Sequence, residues 1–179
     1  DYCLKTNKSN PVEMAMELMK SSNINMHGPE HHFLVPAVLL TSYYNVSGQD
    51  DIKAKKLRIA RERAKKVPGG MCGNYGSCGA GIGAGLFISI ISEATPLTKE
   101  SWGSANKMTG RALTKIGEIG GPRCCKRTSL MAIKEASKFV DENLGIRLYE
   151  YDKYKIICEF KKFNKQCIGV ECPFYKFLV

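Results

Sequence analysis

The chain has 179 residues, 44% of them apolar and 9% aromatic, which fits one globular domain, alone or with a small appendage. No signal peptide is evident, and the longest apolar run, Ile82 to Ile91, is too short to span a bilayer, so a cytoplasmic protein is expected. The net charge of +10 is concentrated between Lys53 and Lys66, where eight basic residues face one acid, Glu62. Such a stretch suits an anionic partner, RNA or an acidic protein, or simply a solvated helix face.

The first predicted helix opens at Asn10-Pro11, an N-cap followed by a first-turn proline, with Val12, Ala15, Met16 and Met19 facing a core. His27-Gly28-Pro29-Glu30-His31-His32 then turns the chain into a helix from about Pro29 to Tyr44, with Pro36 inside it. All three histidines lie in that turn, and imidazole is both a metal ligand and a proton shuttle. The basic stretch forms a helix over Asp51–Lys66, its apolar positions being Ile52, Leu57, Ile59, Ala60 and Ala64.

Residues 67–85 hold two cysteines and eight of the seventeen glycines. A helix is predicted from about Ser77 to Glu93, with Ile82, Leu86, Phe87 and Ile90 toward the core. Its small residues allow a helix or a cofactor to approach the backbone closely. No Lys-Ser/Thr ending follows, so this is not a Walker motif. After Ala94-Thr95-Pro96, Thr98 caps a helix carrying Trp102, Ala105, Met108, Ala112, Leu113 and Ile116. Gly120-Gly121-Pro122-Arg123-Cys124-Cys125-Lys126-Arg127 opens another, Arg123–Asn143. Beyond Gly145 the pattern alternates through Leu148, Tyr149, Tyr151, Tyr154, Ile156, Cys158 and Phe160, which predicts a β-hairpin turning at Tyr151–Tyr154. The expected fold is mainly α, a bundle of about six helices over 1–145, with a cysteine-containing β-hairpin appendage over 146–179. The start at Asp1, without Met, reads as a processed or excised form.

Eight cysteines without a secretory signal point to reduced thiols serving metal or redox chemistry. Cys78, Cys124 and Cys125 fall at helix starts, where the dipole favours a thiolate. The expected metal-ligand set is Cys72, Cys78, Cys124 and Cys125 with His27, His31 or His32, holding zinc or an iron–sulfur cluster. Gly76, Gly79, Gly81 and Gly121 would give a cofactor access to the backbone. Cys158, Cys167 and Cys172 are candidates for a second site. In the metal reading His31 or His32 is a ligand or proton shuttle, and Glu30 orients a histidine or acts as acid/base; a metal-free alternative uses Cys78 or Cys124 as nucleophile with a histidine as base. A third reading is a nucleic-acid-binding accessory module using the Lys53–Lys66 helix.

Gly76-Ser77-Cys78-Gly79-Ala80-Gly81-Ile82-Gly83, with Gly121-x-x-Cys124-Cys125, resembles the redox-active helical family with the pattern C…GCAxxG…C…C, over about residues 27 to 140. His31 and His32 stand where that family has its first cysteine. His27–His32, Pro68–Cys78 and Gly120–Arg127 together resemble, over nearly the whole chain, a domain family of archaea and anaerobic bacteria with no established reaction. That resemblance implies an anaerobe's cytoplasm and a partner S-adenosylmethionine-dependent methyltransferase domain.

Overall fold

The computed structural model describes residues 1–176, which form eight α-helices and two short 3-10 turns, with no strand among them. The helices are α1 (Tyr2–Lys5), α2 (Pro11–Met19), α3 (Glu30–Ser47), α4 (Asp50–Ala64), α5 (Met71–Asn74), α6 (Gly79–Ile91), α7 (Glu100–Ile119) and α8 (Cys125–Leu144). The count exceeds the expected six because α1 and α5 are four-residue helices, too short to carry a periodic pattern.

Helix α3 is the centre. Leu34 through Ser42 are all buried, because α2, α4, α6 and α8 pack around it. A helix covered on all sides needs no polar face, which accounts for its nearly continuous apolar run. Asn10 caps α2, its side-chain oxygen accepting from the Val12 and Glu13 amides. Pro36 is accommodated inside α3.

Helix α6 packs against α3, α4, α7 and α8, and its glycine edge sets how closely it does so. An added Cβ at Gly83 would lie 2.9 Å from Pro36 Cδ and 3.1 Å from the His32 carbonyl oxygen on α3. One at Gly81 would lie 2.7 Å from Leu113 Cδ2 on α7. Gly85 meets Ala105 and Thr109 of α7 in the same way. The small residues are thus the buried edge. Phe87 and Ile90 join the core as expected, but Ile82 and Leu86 are only half-buried.

Three further expectations are corrected. Trp102 is 52% exposed, since α7 turns Met108 and Ala112 inward instead. Lys53 is only 5% exposed; its stem lies against the core while Nζ pairs with Asp50 at 2.7 Å and donates to Asn45 Oδ1 at 2.8 Å.

The third is the C-terminal hairpin, which does not form among the described residues; 177–179, the end of the expected appendage, lie outside them. Burial does alternate from Tyr154 to Phe160, but no second strand pairs with this segment. Leu148 and Tyr149 are buried consecutively, which breaks the two-residue period. The Tyr151, Lys153 and Tyr154 amides are used in local turns, to Tyr149 and Glu150 carbonyls. The segment lies along α2, where Lys20 pairs with Glu159 at 2.9 Å, and its tyrosines contact one another edge-on. Helix contacts thus replace the ladder that a hairpin would need.

Gly83→Ala should lower stability by about 1 kcal/mol, because overpacking against the Pro36 ring and a backbone carbonyl outweighs the helix-propensity gain. Gly110→Ala, in the exposed middle of α7 with nothing within 4 Å, should raise it by roughly 0.4–1 kcal/mol. Denaturant titration of the two variants reads both signs.

Candidate functional site

All eight cysteines are unbridged, and seven of them meet at two places around the start of α8. Cys124 is the N-cap of α8 and its sulfur accepts the Arg127 amide at 3.4 Å. It faces the C-terminal segment. There Cys158 Sγ accepts the Phe160 amide at 3.4 Å, and the Cys158 amide donates to the Phe174 carbonyl at 2.8 Å. Cys167 closes a turn onto the Asn164 carbonyl (3.1 Å), with Asn164 Oδ1 accepting the Gln166 amide. Cys172 follows the 3-10 turn Gly169–Glu171, bonded to the Gly169 carbonyl at 3.0 Å. Cys124, Cys158, Cys167 and Cys172 line one small, partly open cavity of about 20 Å³.

Two cations are buried beside it. Lys126 is 2% exposed and Arg127 4%. The Lys126 ammonium donates to the Met19 and Ile24 carbonyls, each at 3.2 Å, and lies 5.1 Å from the Phe160 ring centre. Arg127 Nη2 donates to the Gly120 and Pro122 carbonyls at 2.8 and 2.9 Å, while its buried Nε has no partner. Neither makes an ion pair among the described residues. Burial pushes the Lys126 ammonium below its usual range.

Cys125, one residue on, points the other way. With Cys72 of α5 and Cys78, the N-cap of α6, it lines a cleft of about 570 Å³. Gly76 and Gly121 border the same cleft, as do Arg123 and Arg127. Among the expected ligands the structure therefore brings Cys72, Cys78 and Cys125 together and turns Cys124 away. Among the described residues, no three His, Cys, Asp or Glu side chains stand in the arrangement of a single-metal shell.

The expectation of lowered thiol pKa values at helix starts is corrected for two residues. Burial pushes both Cys124 and Cys125 up, against the Arg127 amide at Cys124 and a backbone hydrogen bond from Gly28 at Cys125. Desolvation of a thiolate outweighs a helix terminus here. Burial likewise raises Cys158.

The histidines border neither thiol site directly. His27 Nε2 bonds Asn164 Oδ1 at 3.2 Å, which ties it to the wall of the four-cysteine cavity. His31 is 1% exposed; Nδ1 bonds the Gly28 carbonyl at 3.1 Å and Nε2 has no partner. His32 Nδ1 bonds the Val67 carbonyl at 3.1 Å, and its ring lies over Gly79, where no Cβ would fit. Glu30 accepts from the Asn25 amide group, and its Oε2 is buried without a partner. Gly81 serves the α6–α7 contact.

The basic helix divides in two. Lys53, Lys56, Arg63 and Lys65 are engaged with Asp50, Glu93, Ser89 and Glu62. Lys55, Arg58, Arg61 and Lys66 are exposed and make no ion pair among the described residues.

Sequence reasoning missed the union of Cys124 with Cys158, Cys167 and Cys172, and it missed Asn164, Lys126 and Arg127. The signal for the first was a run of soft ligands in an Asn-, Gly- and Pro-punctuated segment with no helical period. Nothing in the sequence joined that run to Cys124.

A family model described as a family of unknown function, DUF5714, matches residues 1–175, and the chain belongs to that family. No curated protein and no solved structure matches it. No helix among the described residues is long and apolar enough to cross a membrane.

Burial, then the Lys126 charge, pushes His31 down to about 4 from 6.5. Glu30 and the Gly28 carbonyl oppose the shift, and His32 adds to it. A base whose folded pKa is depressed leaves stability complete above pH 6.5 and loses it as pH falls toward about 4, by on the order of 3 kcal/mol. Denaturant midpoints measured across that window should fall for the natural chain, and His31→Gln should flatten the fall.

Proposed function

We propose that the chain is a thiolate metal-binding domain of redox or sulfur chemistry, in which Cys124, Cys158, Cys167 and Cys172, whose side chains do not stand in a single-metal shell in the structure, close on one zinc ion when it binds. One observation carries this: four thiols, one from the start of α8 and three from the C-terminal segment, line one small cavity, beside two buried cations that lack carboxylate partners. A zinc tetrathiolate has a net charge of two minus, which matches Lys126 and Arg127. Buried charges otherwise require pairing at close range. A cavity of about 20 Å³ suits one ion rather than a four-iron cluster, and the four sulfurs must still move inward to form its shell. The amide donors to the Cys124 and Cys158 sulfurs are of the kind that orient and stabilise metal-bound thiolates. Metal binding would deprotonate Cys124 and Cys158, whose thiols burial otherwise keeps neutral, and would draw the C-terminal turns onto the start of α8. A reducing cytoplasm suits such a site.

The metal-free reading, a Cys78 or Cys124 nucleophile with a histidine base, has less support. Burial disfavours the Cys124 thiolate, and no histidine lines either thiol site.

Elemental analysis of anaerobically purified protein should find about one zinc per chain, lost in Cys167→Ser and Cys172→Ser. Chelation should lower the unfolding midpoint, because metal affinity contributes directly to folding. Metal-free protein, or zinc content unchanged by both substitutions, refutes the centre.

A second reading, anion binding by α4, is favoured by Lys55, Arg58, Arg61 and Lys66 facing solvent without ion pairs. It expects RNA or acidic-protein affinity that falls steeply with salt and drops in an Arg58→Glu/Arg61→Glu variant. Salt-insensitive or absent binding removes it.

A further inference from the structure

The cleft between α5, α6, the end of α7 and the start of α8 takes no part in the single-ion centre. Its donors are Cys72, Cys78 and Cys125, brought from three elements, and no Asp, Glu or His lines it. An all-sulfur donor set selects soft metals and iron–sulfur clusters over hard cations. Its volume of about 570 Å³ is far larger than one ion needs, whereas the neighbouring cavity has about 20 Å³. The two sites therefore suit groups of different size.

The walls suit an anionic inorganic group. Gly70, Gly73, Gly76, Gly120 and Gly121 leave backbone rather than side chain facing the space, so a bulky inorganic group can approach closely; the Gly73 and Gly120 amides are already bonded to the Gly70 and Gly117 carbonyls. Arg123 and Arg127 border it with no carboxylate among the lining residues. Arg127 is almost wholly buried and its Nε lacks a partner, so it is held ready for an acceptor that the protein does not supply. Three thiolates on a doubly positive four-iron core carry one net negative charge, which Arg123 alone offsets, the charge of Arg127 being already matched to the tetrathiolate.

We infer that this cleft holds a four-iron–four-sulfur cluster through Cys72, Cys78 and Cys125, leaving one iron without a protein thiolate. That iron faces the open side of the cleft, where a small ligand with an oxygen, nitrogen or sulfur donor can reach it. The inference does not rest on the zinc centre. The two sites share the Arg127 wall but no cysteine, because Cys124 and Cys125 point in different directions at the start of α8.

The test is anaerobic reconstitution of the full chain with ferrous iron and sulfide, followed by iron, sulfide and zinc analysis, visible absorption, and electron paramagnetic resonance after reduction. About four irons and four sulfides per chain are expected, with a sulfur-to-iron charge-transfer band. Cys72→Ser, Cys78→Ser and Cys125→Ser should each cut cluster content severalfold while leaving zinc unchanged. Cys167→Ser should do the reverse. Cys72 lies on a four-residue helix with no buried residue, so its substitution leaves the core intact, and far-ultraviolet circular dichroism checks the other two. The inference is overturned by iron bound without sulfide, or by absence of a chromophore. It is also overturned by a cluster that survives Cys72→Ser and Cys78→Ser together, or that is lost only with Cys167→Ser. Zinc without a cluster leaves the tetrathiolate standing and removes this site; a cluster without zinc does the opposite.

Discussion

The close approach of α6 to α3 and α7 sets the position of the helix whose N-terminus brings Cys78 to the cleft. Gly81 and Gly85 let α7 come close, and Gly83 admits Pro36 and the His32 carbonyl of α3. The N-terminus of α6, where Cys78 caps the helix, is thereby held beside the first turn of α8. A helix edge without side chains gains little from its own burial. What it does is bring larger neighbours together: Phe87 and Ile88 of α6 and Leu39 and Leu40 of α3 are almost fully buried. The glycines of this segment therefore serve packing first, and the cleft is a product of that packing.

Electrostatics around α8 follows from the same crowding. Its first turn places Lys126 and Arg127 inside the protein, where carbonyl oxygens and an aromatic ring solvate them without neutralising them. Thiols on both sides of this turn are kept neutral by the same desolvation. Bound metal would reverse both conditions together, since thiolates would replace thiols next to the cations. In the proposed metal-bound form the buried cations and the thiolates would balance one another, and Arg127 borders both sites.

The mainly helical class, the Asn10 cap and the internal Pro36 were legible because each depends on neighbours within one or two turns. The β-hairpin was misread for a related reason. Alternation from Tyr154 to Phe160 reports a half-buried segment, and a strand needs in addition a partner with free backbone groups. Here the partner surface is α2. Lys53 was misread as solvent-facing because its charge hides a long apolar stem, and Trp102 as core because its size does.

By itself the sequence determined the local content of the site: cysteines at helix starts, glycine at the α6 edge, and histidines and prolines at the entry to α3. Caps, periodicity and turn chemistry act over a few residues, so they can be read in one dimension. Only the tertiary structure decided which cysteines share a space. Adjacent residues at a helix start point in different directions, so Cys124 joins Cys158, Cys167 and Cys172 while Cys125 joins Cys72 and Cys78. That division depends on where the chain returns after α8, and long-range packing, not local pattern, sets the return.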